Sequence, residues 1–143
     1  MENKKRPVSF DFDATLSIPS IQEYAKMLIE KGVEVWIVTS RYDEIGKYLP
    51  GTMRLLEMVP TKLEKDWNEL FEVADKLGIL REHIVFTNME LKYTYFKNHP
   101  EFVWHLDDSM EETKLINEET SVKGICWMGN KNWRVDCSKM LFD

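Results

Sequence analysis

Asp11 and Asp13 are the first residues of the chain whose types and spacing suggest chemistry. They fall at the end of Val8-Ser9-Phe10-Asp11-Phe12-Asp13-Ala14-Thr15-Leu16, in which Val8, Phe10 and Phe12 alternate and favour extended backbone. The stretch reads as a short buried strand running out into a loop at the aspartates. Residues two apart on a strand face the same way, which would bring both carboxylates to one spot. Such crowding is unfavourable unless a cation lies between them or one works as an acid or base. A calcium loop is an alternative reading, but it wants Gly at its sixth position and a carboxylate at its twelfth. Here those positions are Leu16 and Gln22. A solvated acidic turn is the other alternative that the five residues leave open.

Further polar groups fall where later elements end. Thr39-Ser40-Arg41 follows the strand-like run Val33 to Val38, and Asp107-Asp108-Ser109 follows Phe102 to Leu106. Between them, Lys92 lies near the start of a helical pattern that carries Leu91, Tyr95 and Phe96 and ends before Pro100. The elements that must position these groups can be read in order. Ser20 suits an N-cap for a helix with Ile21, Tyr24, Ala25, Leu28 and Ile29 at its buried spacing, closed at Lys31 by Gly32. Strand, helix and strand within about thirty residues make a βαβ unit, hence parallel strands and a right-handed crossover.

Residues 42–66 are weakly patterned, with Pro50-Gly51, an apolar patch at 53–59 and a charged run, and suggest loops around a short helix or a small flap. Trp67, Leu70, Phe71, Ala74 and Leu77 then mark an amphipathic helix stopped by Gly78. Ile84 to Thr87 is a third strand, and a helix from Met110 to about Asn117 leads to a fifth strand, Val122 to Met128. A last short helix is expected around Trp133. The alternation makes one α/β domain over residues 1–143, with a mainly parallel five-stranded sheet.

Composition narrows the class. A chain of 143 residues, 43% hydrophobic and 31% charged, is ordinary for a globular domain, and no apolar run approaches a membrane span. The charged start, Met1 to Arg6, leads straight into a strand and does not read as a signal peptide. Cys126 and Cys137 have no metal-binding spacing, so a reduced, cytoplasmic protein is expected. The net charge of −6 disfavours broad attraction to nucleic acid while leaving local recognition of a phosphorylated end open.

Asp11-x-Asp13-x-Thr15, the strand-terminal Thr39, Lys92 and the pair Asp107-Asp108, in this order, resemble the four motifs of the haloacid dehalogenase-like hydrolases over about Val8 to Met128. The resemblance implies a three-layer Rossmann-like fold in which the strands of Asp11 and Asp107 are neighbours, with the Thr39 strand on the other side of Asp11. It also implies a magnesium-dependent phosphomonoesterase. Asp11 would be the nucleophile that forms an aspartyl-phosphate, and Asp13 the acid and then the base. Asp11, the main-chain carbonyl of Asp13 and Asp107 would bind Mg2+, with Asp108 as a further ligand or a support. Thr39 and the N–H of Ser40 would hold phosphoryl oxygens and Lys92 would offset charge, with Lys97 as its competitor. Arg41 either touches substrate or pairs with Asp43, and His105 reads as a satisfied core histidine. Ala14 departs from the family's usual Gly, at a cost of about 1 kcal/mol if φ is positive there.

With room for only one helix between Thr15 and Val33, the chain resembles the capless members, which often accept bulky phosphates. A looser similarity to the phosphatase half of phage polynucleotide kinase-phosphatase rests on Val38-Thr39-Ser40-Arg41, Leu91-Lys92, Leu106-Asp107-Asp108 and Gly124-Ile125-Cys126-Trp127. It suggests nucleotides or nucleic-acid ends as substrates, beside phosphorylated small molecules generally. The rival expectation is a phosphate- or nucleotide-binding regulatory protein with little or no turnover.

Overall fold

Five short apolar runs become strands: β1 (Val8–Phe10), β2 (Val35–Thr39), β3 (Ile84–Phe86), β4 (Trp104–Asp107) and β5 (Lys123–Cys126). In the computed structural model, which describes residues 6–48 and 60–142, they form one sheet in the order β3-β2-β1-β4-β5. All five are parallel rather than mainly so. The chain builds outward from β1 through β2 to β3, then crosses back to lay β4 on the other side of β1. That reversal makes the carboxyl ends of β1, β2 and β4 a switch point, the place where open parallel sheets bind ligands.

Helices α1 (Pro19–Glu30), α2 (Pro60–Leu77), α3 (Tyr93–Lys97), α4 (Met110–Glu119) and α5 (Trp133–Phe142) cover both faces. On one face Val8, Phe10, Ile37 and Leu106 pack with Leu28 of α1, Leu70 and Ala74 of α2, and Trp133 and Cys137 of α5. On the other, Val38 packs with Phe96 of α3, Ile116 of α4, Phe102 and Val122. Burial on both faces is why these strands read as nearly continuous apolar runs. The result is a three-layer, Rossmann-like α/β architecture. No helix among the described residues is long and apolar enough to cross a membrane.

Several boundaries differ from the sequence reading. The first helix starts at Pro19, with Ile18 in the capping position, so Ser20 lies inside its first turn and does not cap it. Proline suits that place because an N–H at the first helical position has no partner to lose. α2 begins at Pro60 and takes in the charged run before Trp67. Residues 64–66, 68 and 69 are exposed, and Leu63 is the one residue before Trp67 that continues the apolar spacing, too little to mark a helix. Of the expected flap, Ile45–Tyr48 is a 3-10 turn and residues 49–59 lie outside the described residues. Leu91 and Lys92 precede α3 instead of lying within it, and the expected final helix is present as α5.

Among the described residues β5 pairs only with β4. Its other edge is met by Asn117 of α4, whose side-chain amide accepts from Gly124 N (2.8 Å) and donates to Gly124 O (3.0 Å). Helix and strand come so close here that a Cβ on Gly124 would stand 2.6 Å from the Thr113 carbonyl oxygen.

Candidate active site

The backbone at the end of β1 decides where the two N-terminal aspartates go. Asp11 is still tied to β4, its N–H donating to Leu106 O at 2.8 Å. The chain then bends into a helical turn over Phe12–Leu16, in which Ala14 takes the left-handed conformation (φ 56). This is the strained alanine that the missing Gly foreshadows. Trp127, just past β5, props it: its indole Nε1 donates to Ala14 O (3.1 Å) and to Thr15 Oγ1 (3.2 Å).

Because regular strand stops at Phe10, the two-residue alternation does not extend to the aspartates, and their carboxylates part company. Asp11 is buried, whereas Asp13 is exposed and is gripped by Arg41 through Nε (2.9 Å) and Nη2 (2.6 Å). Arg41 Nη1 also donates to Asp66 O in α2 (2.9 Å). The Arg41–Asp43 pairing expected from sequence gives way to this arrangement, and Asp43 instead accepts from Lys47 Nζ at 2.6 Å.

The groups that crowd Asp11 come from the end of β4 and from the residue just before α3. Carboxylate oxygens of Asp11, Asp107 and Asp108 lie within 4.8 Å of one another. Lys92 Nζ bridges two of them, at 3.0 Å from Asp11 Oδ1 and 2.6 Å from Asp107 Oδ2. Lys92 is buried, while Lys97 is exposed on α3. Glu112 of α4 steadies the lysine, accepting from its main-chain N–H at 3.0 Å with the other carboxylate oxygen 4.0 Å from Nζ. Ser109 caps α4 by accepting from Glu112 N, and donates its own N–H to Asp107 Oδ1 (3.0 Å).

His105 is the satisfied buried histidine expected, and it also orients the site. Its Nε2 is 2.8 Å from Asp107 Oδ2 and its Nδ1 is 2.8 Å from Ser9 Oγ. An ionised carboxylate only accepts, so Nε2 carries the proton and Nδ1 accepts from the serine. Burial pushes the imidazole pKa down, more than Asp107 raises it, which favours this neutral form.

Charge is concentrated here. Burial, followed by the nearby Asp107, raises the Asp11 carboxyl well above the usual carboxylate range. Burial, followed by Asp107, raises Asp108 as well. Burial works against the charge on Asp107 too, but the His105 hydrogen bond and the Lys92 ammonium more than offset it and hold that carboxyl low. Burial likewise opposes the charge on Lys92, yet Asp11 and Asp107 together keep the ammonium protonated. Three carboxylates face one ammonium, an excess of negative charge on hard oxygen donors. That donor set fits a small divalent cation. The Asp13 side chain is outside the group, so only its main-chain carbonyl could serve in the ligand role expected of it.

On β2, Thr39 is buried and Ser40 half-buried, with Thr39 Oγ1 accepting from Arg41 N at 3.3 Å. The loop that follows is stitched to the end of β3: Thr87 N to Thr39 O (2.9 Å), Asn88 N to Arg41 O (3.1 Å) and Met89 N to Ser40 O (2.7 Å). The structure thus gathers Asp11, Lys92, Asp107 and Asp108 at one point, with the Arg41–Asp13 pair and Thr39-Ser40 on neighbouring strand ends. Sequence reasoning overlooked Glu112 and quoted Trp127 only within a resemblance, with no role, since both act through contacts distant in sequence. A cavity of about 580 Å³ between α1 and α5, lined by Tyr24, Met27, Arg134 and Phe142 among others, contains none of these residues. No family model matches the chain, and no curated protein matches it.

Proposed function

We propose that the chain is a capless phosphomonoester hydrolase of the haloacid dehalogenase-like kind, working through an aspartyl-phosphate on Asp11. The observation that carries this reading is the buried Lys92 ammonium shared between Asp11 and Asp107 at the switch point of the sheet. Cleaving a phosphate monoester takes a nucleophile, here a carboxylate, fixed positive charge at the equatorial oxygens, and a proton for the departing oxygen.

In this reading one Asp11 oxygen attacks phosphorus as the bond to the leaving oxygen breaks. Asp13 gives that oxygen its proton, and then takes one from the water that cleaves the acyl phosphate. The Arg41 clamp fixes where Asp13 rests, so its carboxyl must turn away from the guanidinium to reach a leaving oxygen. Lys92 holds charge on the phosphoryl oxygens, while Thr39 and the Ser40 N–H supply donors on the β2 side. Mg2+ would be held by Asp11, Asp107, Asp108 and the Asp13 carbonyl, and when bound it would supply charge neutralisation for the phosphoryl oxygens. Nucleotides, nucleic-acid ends and small phosphate esters are the substrates to try.

Magnesium-dependent phosphate release from para-nitrophenyl phosphate tests the proposal. Asp11→Asn should lower turnover by more than ~10³-fold with the circular dichroism spectrum unchanged. Near-wild-type turnover in that variant would remove Asp11 as nucleophile. No release by the wild-type protein would favour the binding or regulatory alternative.

A further inference from the structure

Exposed apolar side chains follow the strands whose ends carry this acidic site. Half of the eight exposed large apolar side chains among the described residues lie in the loops that follow β3 and β5 or at the first residue of α4, just after β4. They are Met89, Leu91, Met110 and Met128, and the remainder sit on α5 or before β3. Each is tied to the site by chain or contact. Met89 donates its N–H to Ser40 O, Leu91 precedes Lys92, and Met110 opens α4 directly after Asp107-Asp108-Ser109. Met128 O accepts from Cys126 Sγ (3.8 Å), whose sulfur also reaches Asp108 O (3.5 Å).

Met89 carries the inference furthest. Asn88 and Met89 have consecutive positive φ values of 55 and 67. A turn of that kind favours Asn followed by Gly, so Asn88 suits its place and a methionine in the second does not. The side chain there is also 54% exposed, so it gains little from burial. Backbone strain and an exposed apolar side chain at one position, hydrogen-bonded to Ser40, point to use by a ligand. Methionine adapts its shape to varied apolar partners.

Charge selects the kind of ligand. These loops carry Glu90 and Asp108 against Lys131, with Lys92 and Asp107 bound to each other in the central cluster. Asp13 and Glu111, which follow Asp11 and Asp108 closely in the chain, are exposed as well. Among the described residues negative charge outweighs positive here, so a body bearing further phosphates is opposed. Resting on the phosphatase reading, we infer that Met89, Leu91, Met110 and Met128 form a rim that binds the apolar, uncharged body of a small phosphate monoester, in preference to a polyanion.

The test compares 2-phenylethyl phosphate with ethyl phosphate, whose leaving alcohols differ little in acidity, and adds a 3′-phosphorylated oligonucleotide. The kcat/KM for the phenylethyl ester should exceed that for the ethyl ester by about 10-fold or more and exceed that for the oligonucleotide. Met89→Gly and the highly exposed Met110→Ser should each cut the phenylethyl-to-ethyl ratio by about threefold or more. Met89→Gly should do so without lowering Tm, because glycine relieves the turn. Calorimetry with 2-phenylethylphosphonate and ethylphosphonate, in the presence of magnesium, reads the rim without turnover. Equal kcat/KM for the two esters, a better oligonucleotide, or a ratio unmoved by both variants overturns the rim and leaves the hydrolase standing. Absence of turnover on every ester, with the phenylethylphosphonate still bound about 10-fold more tightly, overturns the hydrolase and supports the rim.

Discussion

Lys92 holds two like charges side by side, and the geometry around it shows how little of the site can change independently. Its Nζ takes one oxygen from Asp11 and one from Asp107, and the latter oxygen also accepts from His105. Asp13 stands apart from that network, clamped by Arg41, which separates the proposed nucleophile from the proposed acid and base. Asp13→Asn removes both proton transfers while leaving the Lys92 cluster in place. An activated ester such as para-nitrophenyl phosphate needs little protonation of its leaving group, so phosphoenzyme formation should suffer less than its hydrolysis. Rapid-quench measurement should then show a burst approaching one equivalent of nitrophenol, followed by turnover slowed by about 10²-fold or more. Equal losses on activated and unactivated esters, with no burst, would give Asp13 a different role. The carboxylates and Lys92 were legible in the sequence because each stands at a strand end or just before a helix. The Arg41 clamp was not, since Asp13 is 28 residues away and Asp43 offers a nearer carboxylate.

At the scale of elements, α4 and β5 pack as a unit that holds Asp107 and Asp108 in place. Ser109 caps α4 and also fixes Asp107, so a displaced helix displaces the cluster. Gly124→Ala drives a methyl against the Thr113 carbonyl of α4, a backbone atom that cannot rotate away. The substitution should cost about 1–3 kcal/mol, read as a lower Tm, and should lower kcat through the shifted Ser109–Asp107 contact. Unchanged Tm and kcat would mean that the helix yields more easily than its packing indicates. The order of strands and helices could be read from sequence because apolar runs alternate with helical spacing and polar breaks. The start of α2 could not, because before Trp67 the sequence offers only Leu63 at the helical spacing. Nor could the prop under Ala14, since Trp127 lies 113 residues away and nothing local distinguishes it from any other tryptophan near a strand.

Taken whole, the described residues present a parallel sheet with two unequal edges and a candidate site at the carboxyl ends of its strands. The edge at β5 has consequences beyond the fold. Asn117 places an amide N–H and C=O opposite Gly124 as a neighbouring strand would, so this edge is already answered from within the chain. Asn117→Ala would leave the Gly124 N–H and C=O seeking partners, and another copy's β5 is a ready one. Light scattering and sedimentation should then show mass rising with protein concentration in the variant but less so in the parent, while a purely local role would lower Tm without changing mass. One side-chain amide would thus set the solubility limit of the protein, and with it the concentrations at which it can be stored, crowded or fused in tandem before it begins to gel.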